Sequence, residues 1–296
     1  MHSFEEYRNI INEHLTDCLP DLPAESSILR EAMEYSLKVG GKRLRPSLLL
    51  AACEFAGGSL EEALPYALAL EYIHTYSLIH DDLPAMDNDD LRRGKPTSHK
   101  VYGEAMAILA GDGLLSTAAE TVTGEPLKHA DDPVRMKGHV RAAHEIMSRA
   151  GSSGMVAGQT ADVISENKKA TPELVRYIEE HKTGDLLTAP VRAGLMIAGA
   201  DEDMLSAFTE FAMDTGIAFQ ILDDILDIEG DAGLMGKTLG KDEDEGKCNY
   251  ASVHGMDAAK AELHRLTEKA KKAIEAYGSA ASFFTDLADM LESRNN

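Results

Sequence analysis

Hydrophobic residues recur along most of the chain every three or four positions, the spacing of one face of an α-helix. The alternation of polar and apolar residues that marks a half-buried strand is scarce. The pattern predicts eleven helices, over residues 3–17, 25–39, 45–57, 60–82, 103–123, 132–150, 153–166, 172–198, 201–228, 256–277 and 279–292. We therefore expect one all-α domain over residues 1–296, built from ten or more packed helices.

Two polar stretches interrupt the helical pattern, at residues 87–98 and 231–246, and both follow aspartate-rich helix ends. Loops of this length in a compact domain usually carry function. The chain has no Pro/Ser-rich linker and no internal repeat with a period of 20–50 residues. Functional residues are therefore expected around the ends of helices within one domain.

Composition and charge narrow the functional classes. Acidic residues outnumber basic ones by 51 to 29, and the net charge of −22 argues against nucleic-acid binding and a polybasic membrane anchor. The three cysteines, Cys18, Cys53 and Cys248, are scattered and suggest neither a metal cluster nor a disulfide framework. The N-terminus lacks an apolar signal core, and Glu54 and Arg192 interrupt the most apolar stretches. We expect a soluble cytoplasmic protein with no membrane span.

The first chemically informative segment is His80–Asp90, which contains five aspartates. Pro84 disfavours helix at Leu83, so Asp81 and Asp82 are expected near a helix C-terminus, where the macrodipole is negative. Carboxylates clustered at that end of a helix require a cation. A set of oxygen-only donors favours Mg²⁺, which commonly also binds substrate phosphate. The alternative is a solvated acidic turn.

A second acidic cluster, Asp223-Asp224-Ile225-Leu226-Asp227, lies within the predicted helix over 201–228. Asp223 and Asp227 are four residues apart and share a helix face, where like charges destabilise the helix. Apolar neighbours place this face at the border of the core. Alone, the cluster is equally consistent with a structural role. Paired with the first cluster, 142 residues earlier, it predicts two carboxylate clusters that hold metal ions between them.

Basic residues stand out against the negative net charge at residues 40–46 (GGKRLRP) and 92–96 (RRGKP). Arginine and lysine are the usual phosphate ligands, and the glycines allow a close approach of the backbone. Lys182-Thr183 and Lys237-Thr238 add further candidates. Each basic run alone would be interpreted as a solvated face. Beside two carboxylate clusters, they predict a site for diphosphate and its metal ions.

Two other motifs are rejected. Residues 230–238 resemble a phosphate-binding P-loop, but five residues separate the outer glycines where the motif needs four, and the segment follows a helix. Glu71 and His74 match the Glu-x-x-His of di-iron bundles, a chemistry that needs two such motifs. Considered alone, His74 and Cys53 are expected to be buried core residues.

Together these motifs resemble those of the trans-isoprenyl diphosphate synthases, most closely the bacterial farnesyl diphosphate synthases. The resemblance covers nearly the whole chain, from Gly40 to Lys247. Its most specific part is the first acidic motif at residues 78–87, which has two extra residues before its last aspartate. The resemblance implies a ring of helices around a deep central cavity, and assembly as a homodimer.

The resemblance also implies a role for each charged residue of the site. Isopentenyl diphosphate would be held by Lys42, Arg45 and His74, with Arg93 reaching it from across the site. The diphosphate of the allylic substrate would be held by Arg92, Lys182, Thr183, Gln220 and Lys237. Three Mg²⁺ ions would be bound by Asp81, Asp82, Asp87, Asp223 and Asp227. The residues that carry catalysis would be Asp81, Asp82, Asp87, Arg92, Lys182 and Asp223.

Few positions depart from the pattern of the family. Ala157 stands where glycine is expected, Cys248-Asn249 replaces a more usual small or hydroxylated pair, and Ala251 stands where proline or another small residue is common. These positions lie beside a loop near the diphosphate site and bear on its closure, whereas all the charged ligands are present.

The implied reaction condenses isopentenyl diphosphate with dimethylallyl or geranyl diphosphate. Diphosphate leaves the allylic substrate while metal ions and basic side chains neutralise its charge, and the second substrate's double bond attacks the allylic cation. Three alternatives stay open. One is a geranylgeranyl diphosphate synthase. A terpene cyclase would not need the second diphosphate site at 41–46, and a non-catalytic partner subunit would lack metal ligands.

Tyr76 and the neighbouring Ser77 are the candidates that set product length. Tyr76 precedes Asp81 by five residues, about 7.5 Å along the helix at 1.5 Å per residue. If Asp81 holds the diphosphate, the growing chain runs towards this ring, which would block extension. In the resembling family an aromatic residue here accompanies a fifteen-carbon product. The prediction is farnesyl diphosphate, and the alternative is that Tyr76 is a plain core residue.

Overall fold

The computed structural model describes residues 1–166, 168, 170–229 and 249–294, and these are almost entirely helical. The helices are α1 (Phe4–His14), α2 (Ser27–Lys38), α3 (Leu44–Phe55), α4 (Leu60–Asp81), α5 (Ser98–Tyr102), α6 (Glu104–Gly124), α7 (Pro133–Ala150), α8 (Met155–Ser165), α9 (Pro172–Ile178), α10 (Asp185–Ile197), α11 (Glu202–Glu229), α12 (Tyr250–His254), α13 (Met256–Ala273) and α14 (Ser282–Glu292). The all-α prediction is confirmed, and every predicted helix has a counterpart. Within the described ranges, no helix combines the length and hydropathy of a membrane span.

Several local features differ from the sequence-based expectation, among them the short helix α12, which was not predicted. Gly103, with a φ of +81°, separates the short helix α5 from α6. The predicted helix over 172–198 contains one π-helical turn, Glu179–Gly184, between α9 and α10. The polar stretch 87–98 contains two short antiparallel strands, β1 (Leu91–Arg92) and β2 (Lys95–Pro96). The other polar stretch, 231–246, lies outside the described residues.

Helix α4 runs through the centre of the fold and packs against α3 and α6. Its middle, from Tyr66 to Ile73, is buried on all sides, as expected for a helix without a polar face. Glu71 is a charged residue in this buried stretch, and it forms an ion pair with Arg43. Because α4 is fixed along its length by the core, its C-terminal residue Asp81 has a defined position.

A cavity of about 520 Å³ lies between the C-terminal half of α4, helix α8 and the start of α10. Apolar side chains form much of its wall, including Leu78, Met155, Val163, Ile164 and Leu186. Charged and polar side chains also face it, namely Arg45, His74, Asp81, Gln159 and Lys182. The cavity therefore suits a ligand with a charged head and an apolar tail.

Candidate active site

The first acidic motif forms a compact turn at the C-terminal end of α4. The amide of Asp87 donates to the carbonyl oxygen of Asp81 at 2.8 Å, so the chain folds back on the helix end. The Gln159 side chain donates to the Asp81 carboxylate at 3.0 Å. Burial and the charges of Asp87 and Asp82 raise the pKa of Asp81 to about 6, although the charge of Lys182 opposes the rise. The predicted metal ligands Asp81 and Asp87 therefore lie together.

Asp82 and Arg92 form a bidentate ion pair beside this turn. The Arg92 Nε atom lies 2.9 Å from each carboxylate oxygen of the buried Asp82, and its Nη2 atom also donates to Asp82. The sequence predicted Asp82 as a metal ligand and Arg92 as a diphosphate ligand. In this structure the two side chains bind each other, which positions the guanidinium next to Asp81.

The π-helical turn carries Lys182 and Thr183, and both side chains line the cavity. Such turns commonly mark functional sites because the wider turn changes the direction of its side chains. Helix α8 approaches this turn at Gly158, where a Cβ atom would lie 2.1 Å from the Lys182 amide nitrogen. Only glycine allows this approach, so Gly158 fixes the distance between α8 and Lys182.

Hydrogen bonds connect the π-helical turn to the second acidic cluster on α11. The Thr183 hydroxyl donates to the Gln220 Oε1 atom at 2.7 Å, and the Gln220 amide donates to Asp224 at 2.9 Å. The Lys182 ammonium donates to the carboxylate of Asp162 on α8. Three predicted residues of the allylic site, Lys182, Thr183 and Gln220, are thus in one neighbourhood.

The second acidic cluster faces the first basic run. Asp227 is buried one helical turn after Asp223, which is half-buried. Asp223 interacts electrostatically with both Lys42 and Arg45 and forms an ion pair with Arg294. The fold therefore brings residues 40–46 next to the cluster at 223–227, as a site that binds diphosphate through metal ions and basic residues requires.

Arg45 and His74 lie side by side in the cavity wall. Burial lowers the pKa of Arg45 to about 10, so the guanidinium stays charged at neutral pH. Its Nε atom is shielded from solvent and has no hydrogen-bond partner in the described part of the chain. Burial and the charge of Arg45 lower the pKa of His74 well below its usual range, so this imidazole is neutral. A buried cation with an unused donor suits an anionic ligand.

The turn between β1 and β2 connects the two basic runs. Arg93 and Gly94 have φ angles of +53° and +74°, as a tight two-residue hairpin turn requires. The Arg93 guanidinium donates to the Gly40 carbonyl oxygen. Gly41 has a φ of +153°, a backbone conformation that residues with a side chain rarely adopt, so glycine suits this position beside Arg93. Arg93 is exposed and reaches the first basic run from the neighbouring loop.

The glutamate of the Glu-x-x-His motif, Glu71, has a structural role. The carboxylate of Glu71 is buried and accepts from the Arg43 guanidinium, which also donates to the Leu37 carbonyl oxygen at 2.7 Å. Glu71 therefore neutralises Arg43 in the core. Lys42 and Arg45, which flank Arg43, are the residues of this run that the resemblance assigns to isopentenyl diphosphate.

Sequence reasoning missed several residues that contact the predicted ligands. Gln159 and Asp162, three residues apart on the same face of α8, received no role in the sequence analysis. Arg294 follows Asp223 by 71 residues and stacks over the Phe219 ring at 4.6 Å. The spacing on α8 was a usable signal, whereas no local pattern connects Arg294 to Asp223.

The predicted ligand Lys237 and the departure at Cys248 lie outside the described residues. Asn249 is described and begins helix α12, where its side chain accepts from the Ser252 amide at 2.8 Å. Asparagine is among the most favourable residues at such a position. Ala251, the third departure, is buried within the short helix α12.

Glu179 in the π-helical turn provides a test of burial at this site. Burial and the charge of Asp224 raise the pKa of Glu179 to about 8, against an ordinary value of 4.5. Between these two values only the folded state holds the proton, so stability falls as the pH rises, by at most about 1.4 kcal/mol per pH unit.

We expect Glu179→Gln, which does not ionise, to lose less unfolding free energy than the wild type between about pH 5.5 and about pH 7.5. Urea denaturation of both proteins at the two pH values measures this difference. The two proteins share every other titrating group, so those groups contribute equally to both losses. Equal losses in the two proteins would contradict a neutral, buried Glu179.

The helical fold that surrounds this cavity matches solved isoprenoid synthase structures. The chain belongs to the polyprenyl synthetase family, whose model matches residues 26–286. The family resemblance inferred from the motifs is therefore confirmed.

Known relatives and structures agree with this assignment. The chain is 47% identical over 262 residues to a farnesyl diphosphate synthase of Geobacillus stearothermophilus, which covers 88% of this chain and 87% of the relative. It is 43% identical over 292 residues to a geranylgeranyl diphosphate synthase of Cyanophora paradoxa, covering 98% and 95%. The geranyltransferase of Helicobacter pylori, solved with magnesium and isoprenyl diphosphate, matches with a TM-score of 0.83 at 29% identity, covering 97% and 94%. The chain is accordingly a prenyltransferase of the polyprenyl synthetase type.

Proposed function

We propose that this prenyltransferase is a Mg²⁺-dependent farnesyl diphosphate synthase, which condenses isopentenyl diphosphate with dimethylallyl diphosphate and then with geranyl diphosphate. The observation that carries the proposal is a cavity whose wall contains Asp81 and Lys182, Arg45 and His74, and the ring of Tyr76. In this proposal Asp81 binds metal, Lys182 binds one diphosphate, Arg45 and His74 bind the other, and the Tyr76 ring limits the length of the chain.

The donors present fit Mg²⁺. Asp81, Asp82 and Asp87 offer carboxylate oxygens without a thiolate, and the raised pKa of Asp81 reflects carboxylates crowded in a poorly solvated place. We assign two ions to this cluster and a third to Asp223 and Asp227. When bound, Mg²⁺ would neutralise the charge that develops on the leaving diphosphate. The magnesium and isoprenyl diphosphate in the Helicobacter pylori geranyltransferase support this assignment.

We assign the allylic diphosphate to Arg92, Lys182, Thr183, Gln220 and Lys237. The ammonium of Lys182 and the guanidinium of Arg92 lie close enough to Asp81 to interact with its charge. In these positions they hold the leaving group and stabilise its negative charge as the carbon–oxygen bond breaks. Asp162 acts as a positioning residue that holds Lys182, and Asp82, besides its proposed part in the metal cluster, holds Arg92.

We assign isopentenyl diphosphate to Lys42, Arg45, His74 and Arg93. The neutral imidazole of His74 donates one hydrogen bond, and the half-buried guanidinium of Arg45 supplies a charge that water screens less than on an open surface. The double bond of this substrate attacks the allylic cation, and the released diphosphate accepts the proton that is then lost. The apolar wall keeps water from capturing the cation.

Two alternatives are disfavoured by particular residues. A terpene cyclase binds one diphosphate, whereas Lys42 and Arg45 lie near Asp223, and His74 near Arg45, where they would serve as a second group of phosphate ligands. A geranylgeranyl diphosphate synthase needs a deeper cavity than one whose wall contains the Tyr76 ring. We therefore place product length at fifteen carbons.

We further propose that the enzyme acts as a cytoplasmic homodimer. Large apolar side chains are exposed on and near α6 and α7, including Ile108, Leu109, Leu127, Val134 and Val140. Apolar residues gathered on neighbouring elements typically mark a protein interface. Light scattering coupled to size-exclusion chromatography measures the mass; a monomer at micromolar concentration would contradict the homodimer.

Incubation with labelled isopentenyl and dimethylallyl diphosphates plus Mg²⁺ tests the proposed function, with product length measured by chromatography. We expect a fifteen-carbon diphosphate as the main product. A twenty-carbon product would identify a geranylgeranyl diphosphate synthase. Diphosphate release from farnesyl diphosphate alone would identify a cyclase, and an inactive protein that activates an added synthase would identify a partner subunit.

Arg45→Ala and Lys182→Ala are expected to separate the two substrate sites. Because Arg45→Ala removes a guanidinium from the proposed isopentenyl diphosphate site, its KM for that substrate should rise at least about tenfold. Lys182→Ala should raise the KM for the allylic substrate and lower kcat. Steady-state kinetics with each substrate varied in turn measures both effects. Equal changes in both KM values for both variants would refute the assignment of separate sites.

A further inference from the structure

A second group of potential metal ligands lies at the opposite end of α4 from the cavity. Glu62 is in the first turn of α4, His129 ends the short 3₁₀ segment after α6, and His139 is in the middle of α7. One ligand atom from each of these three side chains lies within 4.8 Å of the other two. Glu62 precedes Asp81 by 19 residues, about 28 Å along the helix, so the group is separate from the candidate active site.

His139 is fully buried, and its Nε2 atom has no hydrogen-bond partner among the described residues. Its Nδ1 atom lies 3.1 Å from the Tyr66 hydroxyl, and the same hydroxyl can donate to the His139 carbonyl oxygen at 3.4 Å. When the hydroxyl proton is used for the carbonyl, Nδ1 carries the imidazole proton. The Nε2 atom then presents a lone pair to Glu62, whose Oε2 atom is 3.4 Å away.

A direct hydrogen bond does not account for this contact, because the buried Nε2 atom has no hydrogen-bond partner among the described residues although Glu62 Oε2 lies 3.4 Å away. Buried polar atoms are normally partnered. A cation bound between this nitrogen and the carboxylate oxygen would supply the partner that both atoms need.

The other two side chains leave room for a cation. His129 is half-buried and stacks on His139 with ring centroids 4.0 Å apart. The Arg135 guanidinium binds the Oε1 atom of Glu62 and leaves its Oε2 atom directed at His139. A carboxylate that binds a metal through one oxygen is commonly held by a hydrogen bond at the other, as Arg135 does here.

We propose that Glu62, His129 and His139 form a Zn²⁺ site, with water as a fourth ligand, that connects the start of α4 to the end of α6 and to α7. Two imidazoles and a carboxylate are a known Zn²⁺ ligand set, whereas Mg²⁺ prefers oxygen donors alone. The Glu62 side chain is 26% exposed, which gives the ion and its water access from solvent.

Binding requires a small contraction of the group. Zn–N bonds of about 2.0–2.1 Å in a tetrahedron place ligand atoms about 3.4 Å apart, compared with the spread of up to 4.8 Å seen here. His129 can supply the movement because it lies at the end of a short 3₁₀ segment and is half-buried. With Zn²⁺ on Nε2, the Nδ1–H of His139 would donate to the Tyr66 hydroxyl 3.1 Å away, so Tyr66 is a positioning residue for the site.

The test titrates Zn²⁺ into the tag-free full chain in the presence of a chromophoric competitor. Excess Mg²⁺ is present to occupy the aspartate clusters, and thermal unfolding is followed in parallel. We expect one Zn²⁺ per chain and an increase in the unfolding midpoint that Mg²⁺ alone does not produce. Co²⁺ in place of Zn²⁺ should give the visible absorption of a tetrahedral site.

Single substitutions at the site make the assignment falsifiable. His129→Gln and Glu62→Gln should each weaken Zn²⁺ binding at least tenfold and remove the thermal effect, while Tyr66→Phe should weaken it about 10–100-fold with all ligands retained. His144→Gln, an exposed histidine on the same helix as His139, should bind like the wild type. Prenyltransferase turnover with Mg²⁺ should be unchanged in Glu62→Gln.

Two results would overturn the proposal. The first is the absence of stoichiometric Zn²⁺ binding in the wild type. The second is equal binding by the wild type, His129→Gln and Glu62→Gln, which would indicate adventitious binding to other histidines. Either result leaves the proposed prenyltransferase function untouched, because that function depends on the cavity at the other end of α4.

Discussion

Asp81→Asn is expected to lower kcat by about 10³-fold or more while making the metal-free protein more stable. The loss of activity follows because Asp81 is the proposed metal ligand on the cavity wall, where it meets Gln159 and the charge of Lys182. Asparagine keeps the shape of the side chain and an oxygen acceptor but removes the charge that holds the cation.

The gain in stability has a definite sign and pH window. The pKa of Asp81 is about 6 in the folded protein and 3.8 in its ordinary state. Between these values only the folded state holds the proton, so the wild type loses stability as the pH rises and the whole loss is present above about pH 6. Asparagine avoids this loss, which corresponds to about 1–3 kcal/mol at neutral pH.

Steady-state turnover at limiting and saturating Mg²⁺, together with urea denaturation in a chelator, measures both effects. Asp286→Asn, an exposed aspartate on α14, is the matched control and should change neither. Near-wild-type turnover of Asp81→Asn at limiting Mg²⁺ would show that Asp81 is not a metal ligand. A loss of stability would contradict the crowding of negative charge around it.

The helices could be predicted from sequence because their apolar faces repeat with the helical period. The prediction was wrong in detail where the backbone departs from that period without a change in hydrophobicity. The π-helical turn at Glu179–Gly184 lies in a continuous helical pattern, and its extra residue is set by tertiary packing against Gly158 and α11. The short helix α5, Ser98–Tyr102, was also missed, because five residues are too few to display a helical period.

The candidate site could be predicted as far as its residues form dense local clusters. The aspartates at 81–87 and 223–227 and the basic runs at 40–46 and 92–96 are unusual enough to attract attention in sequence. Their partners are single residues on distant elements. Asp162 contacts Lys182 across 20 residues and Arg294 contacts Asp223 across 71, so only the fold reveals these pairs.

The same limit explains why the histidine group at the far end of α4 was missed. Glu62 and His139 are 77 residues apart, and His129 lies ten residues before His139, a spacing that matches no metal motif used in sequence reasoning. His139 is recognisable only through its burial and its unpartnered Nε2 atom. Packing of α4 and the loop before α7 creates the group.

The structure gives a physical setting for the control of product length. The Tyr76 side chain is 8% exposed and lines the cavity one to two helical turns before Asp81. Its ring contacts the His80 ring edge-on at 5.7 Å, so its orientation is fixed from the side of the acidic motif. The Ser77 hydroxyl donates to the His74 carbonyl oxygen at 2.9 Å, which leaves a small, satisfied side chain next to the aromatic ring.

Tyr76→Ala is expected to change the main product from fifteen carbons to twenty or more, because removal of the ring opens the cavity beyond the point that a farnesyl chain reaches. Truncating a buried aromatic residue costs about 3–5 kcal/mol, so circular dichroism and a thermal unfolding transition must first show that the variant is folded. Tyr76→Phe keeps the ring and removes only the hydroxyl, and this matched control should still stop at fifteen carbons. Chromatography of the dephosphorylated products measures chain length in all three proteins. A folded, active Tyr76→Ala enzyme that stopped at fifteen carbons would refute the role of this ring as the end of the cavity, and Tyr76 would then be a residue of the core.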